Sequence, residues 1–142
     1  MSNSIFVKEF HSSIEALGDT LNGALAKLIE RGWITREQIF YAQLCLEEAL
    51  VNAVTHGNHC DERLSVRIEV AEEDDICVIR VYDQGSGFNP ETVSLPGCEN
   101  MNGRGICLIR YCMDEVKYDK HEHCLEMRMH RKALCKEGAP HE

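Results

Sequence analysis

The chain has 142 residues, of which 44% are hydrophobic and 27% are charged, and its formal net charge is −9. This length and composition fit one globular domain, which we expect over residues 1–135, followed by a disordered tail over 136–142. The acidic charge argues against general binding to nucleic acid and to anionic membrane surfaces, because both of these select basic proteins.

Eight cysteines are spread along the chain without any C-x-x-C pair. Most of them lie in apolar helix or strand patterns, where a free cysteine behaves as a small hydrophobic residue. No basic segment followed by an apolar run opens the sequence, and no stretch reaches the roughly 18 apolar residues of a membrane span. These patterns predict a cytoplasmic protein with free thiols.

The predicted elements begin with a strand and two helices. Residues 5–10 form the strand. The first helix runs from a serine cap at position 12 or 13 to about residue 31, because leucines recur there at three- and four-residue steps. The second helix begins at Thr35, its N-cap, and ends near His56, where a glycine and an asparagine follow.

The second half of the chain is richer in strand patterns. Alternating apolar residues predict a hairpin over 64–82 with an acidic turn, and a last hairpin over 116–130. Between them, residues 89–102 have no period and read as a functional loop, and residues 104–113 form a third helix. We expect an α+β fold: a two-layer α/β sandwich with a mixed, mostly antiparallel sheet and helices on one face.

Glu48 and Asn52 lie four residues apart in the second predicted helix, so their side chains stand one above the other. Their sector of the helix is shared with apolar residues. Glu48 is therefore expected to be partly desolvated, which raises its pKa toward the range of a general base. The amide oxygen of Asn52 can join a Mg²⁺ shell without adding charge. A solvated glutamate and a surface asparagine without a role would also fit this pair.

The segment DQGSG, residues 83–87, directly follows a predicted strand. Asp83 continues the apolar face of that strand, so we expect it to point between sheet and helices, where a carboxylate needs a hydrogen-bond donor such as the exocyclic amine of adenine. Gly85 and Gly87 allow close approach of the backbone, and Phe88 closes the base of the loop. An ordinary turn at a strand end is the alternative interpretation.

Gly103-Arg104-Gly105 opens the third predicted helix. The first amides of a helix lack internal partners and its dipole favours anions, so this segment is suited to bind phosphate, although glycine pairs are also common at helix starts without a ligand. The G-x-G-x-x-G and G-x-x-x-x-G-K-[ST] fingerprints are absent, which excludes the Rossmann and P-loop classes. The histidine–cysteine clusters at 56–60 and 121–124 lack the second pair that a zinc site needs.

Three segments together resemble the motifs of GHKL (Bergerat-fold) ATPases. They are EALVNAVTHGN at 48–58, DQGSGF at 83–88 and GRGICLIRYCMDEV at 103–116. Within that superfamily the chain is most similar to the stand-alone anti-sigma-factor serine/threonine kinases, which are histidine-kinase-like ATPase domains. The resemblance extends over about residues 5–132.

The resemblance implies a role for each matching residue. Glu48 is implied as the general base that activates a protein serine, Asn52 as a ligand of Mg²⁺, and Asp83 as the partner of the adenine amine. Residues 89–102 correspond to the lid over ATP. The other implied nucleotide-binding residues follow the first motif or lie in the two glycine segments: His56, Gly85, Gly87, Phe88, Gly103, Arg104 and Gly105.

The implied function is phosphorylation of a serine or threonine on an antagonist protein, coupled to sequestration of a sigma factor or similar regulator. ATP and Mg²⁺ are the implied cofactors, and a homodimer through the N-terminal strand and helix is implied. One alternative is a catalytically weak or inactive protein-binding switch, because His123-Cys124 occupies the place where such proteins often carry Gly-Thr beside the adenine. Another is the detached ATP-binding half of a histidine kinase.

Overall fold

The computed structural model describes residues 2–85 and 113–130. The predicted loop over 89–102, the predicted helix over 104–113 apart from its last residue, and the predicted tail over 136–142 lie outside these ranges. In chain order the described helices and strands are β1 (Ser2–His11), α1 (Leu17–Glu30), α2 (Ile39–Asn52), β2 (Ser65–Glu73), β3 (Ile76–Tyr82), β4 (Glu115–Asp119) and β5 (Cys124–His130). None of the helices in the described ranges has the length and apolarity needed to cross a bilayer.

The strands form one sheet in the order β1-β2-β3-β5-β4, and each ladder between described strands is antiparallel. Both predicted hairpins are confirmed. One face of the sheet shares a hydrophobic core with α1 and α2, so the predicted α+β sandwich is also confirmed. The largest fully buried side chains of this core come from both layers: Leu28, Trp33, Leu46, Leu50, Ile68, Ile79, Leu125 and Met127.

The start of α1 differs from the prediction. The helix begins at Leu17 rather than directly after a serine cap. Ser13 instead closes a turn before the helix, with its hydroxyl oxygen accepting a hydrogen bond from the Ala16 N–H at 3.2 Å. Ser12 is buried, and its hydroxyl oxygen accepts a hydrogen bond from Asn58 Nδ2 at 3.1 Å. Ser12 therefore takes part in a tertiary contact, and Ala16 rather than a serine stands at the N-cap of the helix.

The N-terminal signal of α2 is confirmed. The Thr35 N–H donates to Gln38 Oε1 at 2.8 Å, and a 3₁₀ turn over Arg36–Gln38 leads into the helix. Beyond Asn52 the helix continues as a π-helical turn, Ala53–Gly57, so the helical run ends where the glycine predicted. Such π-turns occur frequently at functional sites.

The two faces of β3 have opposite characters. Cys77, Ile79 and Val81 belong to the core, whereas Arg80 lies on the helix-free face. Its guanidinium is 3.2 Å from the Glu126 carboxylate and also lies near two glutamates of β2. Because a strand alternates its side chains, residue 83 is the next position after Val81 on the core face. It therefore points toward the helices, away from the charged network around Arg80. The predicted orientation of Asp83 is therefore confirmed.

Candidate functional site

Asp83 directly follows β3, and its side chain is only 1% exposed. Oδ2 accepts a hydrogen bond from the Tyr118 hydroxyl at 2.8 Å, and Oδ1 accepts one from the Gly85 N–H at 3.2 Å. Burial raises the pKa of Asp83, while the Tyr118 hydrogen bond and the nearby His123 act in the opposite direction. Asp83 is thus a buried carboxyl group held by protein donors on both of its oxygens.

β5 begins beside Asp83. The Asp83 N–H donates to the carbonyl oxygen of His123 at 2.9 Å, and His123 has a left-handed φ of 54°. His123 Nδ1 lies 3.7 Å from Asp83 Oδ1, is buried, and has no hydrogen-bond partner among the described residues. The imidazole therefore brings a polar nitrogen with unused hydrogen-bonding capacity to this end of the site.

Cys124 does not face Asp83. The register pairs Cys124 with Tyr82, and both side chains line a cavity on the helix-free face of the sheet. Burial raises the pKa of the Cys124 thiol to about 12. The expectation that His123-Cys124 together occupy the place beside the nucleobase is therefore wrong for Cys124, because neighbouring residues of a strand point to opposite faces.

Two glycines bring the end of the second helix against the Asp83 segment. A Cβ atom on Gly57 would lie 2.6 Å from Asp83 Cγ, and a Cβ atom on Gly85 would overlap the carbonyl oxygen of Gly57. Both distances are below any contact that carbon and oxygen atoms tolerate. The first and second motifs therefore meet in space, through the Asp83 side chain at Gly57 and through backbone atoms at Gly85.

Asn58 ties this junction together, a role that the sequence did not reveal. Its Oδ1 accepts a hydrogen bond from the Gln84 N–H at 2.7 Å, and its Nδ2 donates to the Ser65 carbonyl oxygen at 3.0 Å and to the Ser12 hydroxyl. The residue is buried. The signal in the sequence is an amide directly after the glycine that ends the helix.

Glu48 lies between core and solvent on α2, as predicted, whereas Asn52 is buried. Glu48 is partly buried, and its pKa is raised first by burial and second by the neighbouring charge of Glu47, which agrees with the expected desolvation. Asn52 is only 3% exposed, and its Nδ2 is buried with no hydrogen-bond partner among the described residues. His56, one turn further on, is exposed.

The described residues fit a magnesium nucleotide. Asn52 Nδ2, which has no partner among the described residues, can donate to an anionic oxygen, and the amide oxygen can ligate a hard cation. Asp83 offers a buried acceptor, and the absence of a Cβ atom at Gly57 leaves room for its carboxyl group. Five further predicted nucleotide-binding residues lie outside the described ranges: Gly87, Phe88, Gly103, Arg104 and Gly105.

A comparison with protein families identifies the family of the chain. The model of the histidine kinase-like ATPase domain matches residues 10–130. The chain belongs to the histidine kinase-like ATPase domain family. The matched range contains Glu48, Asn52 and Asp83, so the GHKL resemblance is confirmed at the level of the family. A histidine kinase-like ATPase domain implies nucleotide binding.

A curated relative adds a regulatory context. The anti-sigma F factor of Oceanobacillus iheyensis is 28% identical to this histidine kinase-like ATPase domain over 108 residues. The aligned region covers 68% of this chain and 73% of the relative. This similarity supports placement among ATPase domains of the anti-sigma-factor type.

Proposed function

We propose that the chain is a cytoplasmic, ATP-dependent serine/threonine-protein kinase of the anti-sigma-factor type. It phosphorylates a small antagonist protein and sequesters a sigma factor or a similar transcription regulator. The observation that carries the proposal is the partly buried carboxyl group of Glu48, one helical turn before the buried amide of Asn52, in a histidine kinase-like ATPase domain. The similarity to an anti-sigma F factor supports the choice of partners.

Each residue has a defined part in this proposal. Glu48 accepts the proton of the substrate hydroxyl, and its raised pKa makes it a better base than an exposed glutamate. Asn52 holds Mg²⁺, and Asp83 accepts a hydrogen bond from the adenine amine. ATP supplies the phosphoryl group, and its transfer depends mainly on positioning and charge neutralisation. His56, Gly103, Arg104 and Gly105 contact the phosphates.

A phosphorylation assay tests the proposal. The purified chain is incubated with Mg-ATP and the small candidate antagonists encoded beside it, and phosphoserine and phosphothreonine are measured by mass spectrometry. We expect one antagonist to be modified at one site. Absence of transfer to every candidate, although ATP binds, would exclude the kinase and leave a binding protein. Replacement of exposed Gln43 on α2 by alanine is a control that should retain full activity.

We also propose a homodimer formed through β1 and α1. β1 lies at one edge of the described sheet, and Val7 on this strand is 53% exposed. An exposed edge strand carries unpaired backbone groups that a second chain can pair with. Sedimentation velocity should give a dimer at micromolar concentration, and Val7→Lys should shift the equilibrium toward monomer. A wild-type chain that is monomeric at every concentration would contradict this proposal.

One observation favours a second candidate function, a nucleotide-dependent binding switch without phosphoryl transfer. The Asp83 side chain is almost fully covered and already accepts a hydrogen bond from Tyr118. A recognition group that is covered and already hydrogen-bonded must be released before it can bind a base, and this cost lowers the affinity for a nucleotide. Calorimetry with ATP and ADP, combined with a turnover assay, separates the two functions: binding without turnover supports the switch, and robust turnover removes it.

A further inference from the structure

Tyr118 reaches Asp83 across an intervening strand. It lies on β4, whereas Asp83 follows β3, and β5 runs between these two strands. Its ring is partly buried against the core, on the same face of the sheet as Asp83. The residue opposite Tyr118 on β5 is Leu125, which has no polar group. A long side chain with a polar end is therefore what connects β4 to the carboxyl group.

The contact restrains the carboxylate of Asp83. The Tyr118 hydroxyl holds Oδ2, and the Gly85 N–H holds Oδ1. Together they fix the plane of a group whose terminal torsion is otherwise broad. A carboxylate offers about four acceptor positions, so these two donors leave capacity for another. The hydroxyl also favours the ionised carboxylate, against the effect of burial.

We propose that Tyr118 is a positioning residue for nucleobase recognition: by holding Oδ2, it keeps Asp83 oriented as an acceptor that selects a base with an exocyclic amine over one with a carbonyl. This inference rests on the proposed nucleotide site. A carbonyl oxygen placed against a fixed carboxylate sets two acceptors against each other, and the carbonyl oxygen of the base is left without a donor. A carboxyl group free to rotate or to take a proton would tolerate either base.

Calorimetry with ATP and inosine triphosphate tests the inference, because these nucleotides differ in the amine or carbonyl at position 6. The wild-type chain should bind ATP more tightly. Tyr118→Phe should weaken ATP binding by about tenfold and leave inosine triphosphate nearly unaffected, so that the selectivity falls. Tyr82→Phe is the matched control, because Tyr82 lies on the helix-free face next to Asp83 in sequence. It should change neither affinity.

A double-mutant cycle shows whether Tyr118 acts through Asp83. Once Asp83 is replaced by asparagine, Tyr118→Phe should have no further effect on ATP affinity. Phenylalanine keeps the ring, so the packing should persist, and thermal melting verifies this. A general loosening of the site would weaken the binding of inosine triphosphate together with that of ATP, so the affinity for inosine triphosphate serves as an internal reference.

The outcomes are distinguishable. A wild-type chain that binds neither nucleotide overturns the proposed function and this inference with it. A wild-type chain that binds ATP, combined with unchanged selectivity in Tyr118→Phe, overturns the inference alone. Tighter ATP binding by Tyr118→Phe also overturns it, because the hydroxyl would then compete with the base.

Discussion

Replacing Glu48 with glutamine is expected to slow phosphoryl transfer by about 10²–10⁴-fold, with ATP affinity nearly unchanged. Glutamine keeps the shape of the side chain and cannot accept the proton of the substrate hydroxyl. Single-turnover transfer to the antagonist measures the rate, and calorimetry measures the affinity. Glu47→Gln is the matched control, since Glu47 is the next residue and is exposed. It should retain most of the rate. Equal rates for Glu48→Gln and wild type would eliminate Glu48 as the base.

The same substitution is expected to stabilise the fold at neutral pH. The pKa of Glu48 is raised in the folded chain, with burial as the main cause. At pH values between the ordinary pKa of glutamate, about 4.3, and the raised pKa, the folded chain binds more protons than the unfolded chain. The free energy of unfolding therefore decreases as pH rises through this window. Glutamine is uncharged, so the folded chain does not have to bury an ionised carboxylate at this position.

Thermal melting over a range of pH checks this expectation. Glu48→Gln should melt at a higher temperature than wild type at pH 7, and the difference should shrink at pH values below about 4.3. The loss of activity and the gain in stability would then come from one desolvated carboxylate. A Glu48→Gln variant that melts earlier than wild type at pH 7 would show that the ionised carboxylate is stabilising instead.

Replacing Gly85 with alanine is expected to lower the free energy of unfolding by about 3 kcal/mol or more, the largest loss of stability among the substitutions proposed. The new methyl group would overlap the carbonyl oxygen of Gly57 and crowd Asn58 Cα at 2.9 Å. Both obstacles are backbone atoms, which cannot rotate away as a flexible side chain can. The melting temperature should fall by roughly 10 °C, and ATP binding should be lost with the displaced Asp83 segment. Differential scanning calorimetry measures the first effect and titration the second.

Gly18→Ala is the matched control for this substitution. Gly18 lies in α1, and a Cβ atom placed on it meets nothing within 4 Å. Alanine is a better helix former than glycine, so this variant should be more stable than wild type by about 0.5–1 kcal/mol. Similar effects of the two substitutions would mean that the contact between Gly57 and Gly85 does not exist in solution.

Features that depend on local periodicity could be predicted from the sequence. Alternation gave both hairpins, and Arg80 identified the outer face of β3, so that the burial of Asp83 followed. The helical wheel placed Glu48 between core and solvent for the same reason, whereas Asn52, expected in the same sector, is buried. In each case the pattern is set by residues that lie close in the sequence to the position concerned.

Features that depend on pairing between distant segments could not be predicted. The contact of Tyr118 with Asp83 depends on the strand order β3-β5-β4 and on the register of β5. Neither can be derived from a single segment of the sequence. The face of Cys124 depends on the same register, and an error of one residue reverses it. The buried contact of Ser12 before α1 likewise depends on Asn58, which lies 46 positions away.

The hydrogen bonds of Asn58 have an evolutionary consequence. Its amide donates to two groups and accepts from a third, on three separate segments of the chain. Aspartate lacks the donors, serine lacks the reach, and glutamine adds a methylene that a buried site cannot accommodate. Asn58 should therefore tolerate replacement as poorly as a residue that takes part in chemistry, and substitution surveys that score only fitness would mistake this scaffold amide for a catalytic one.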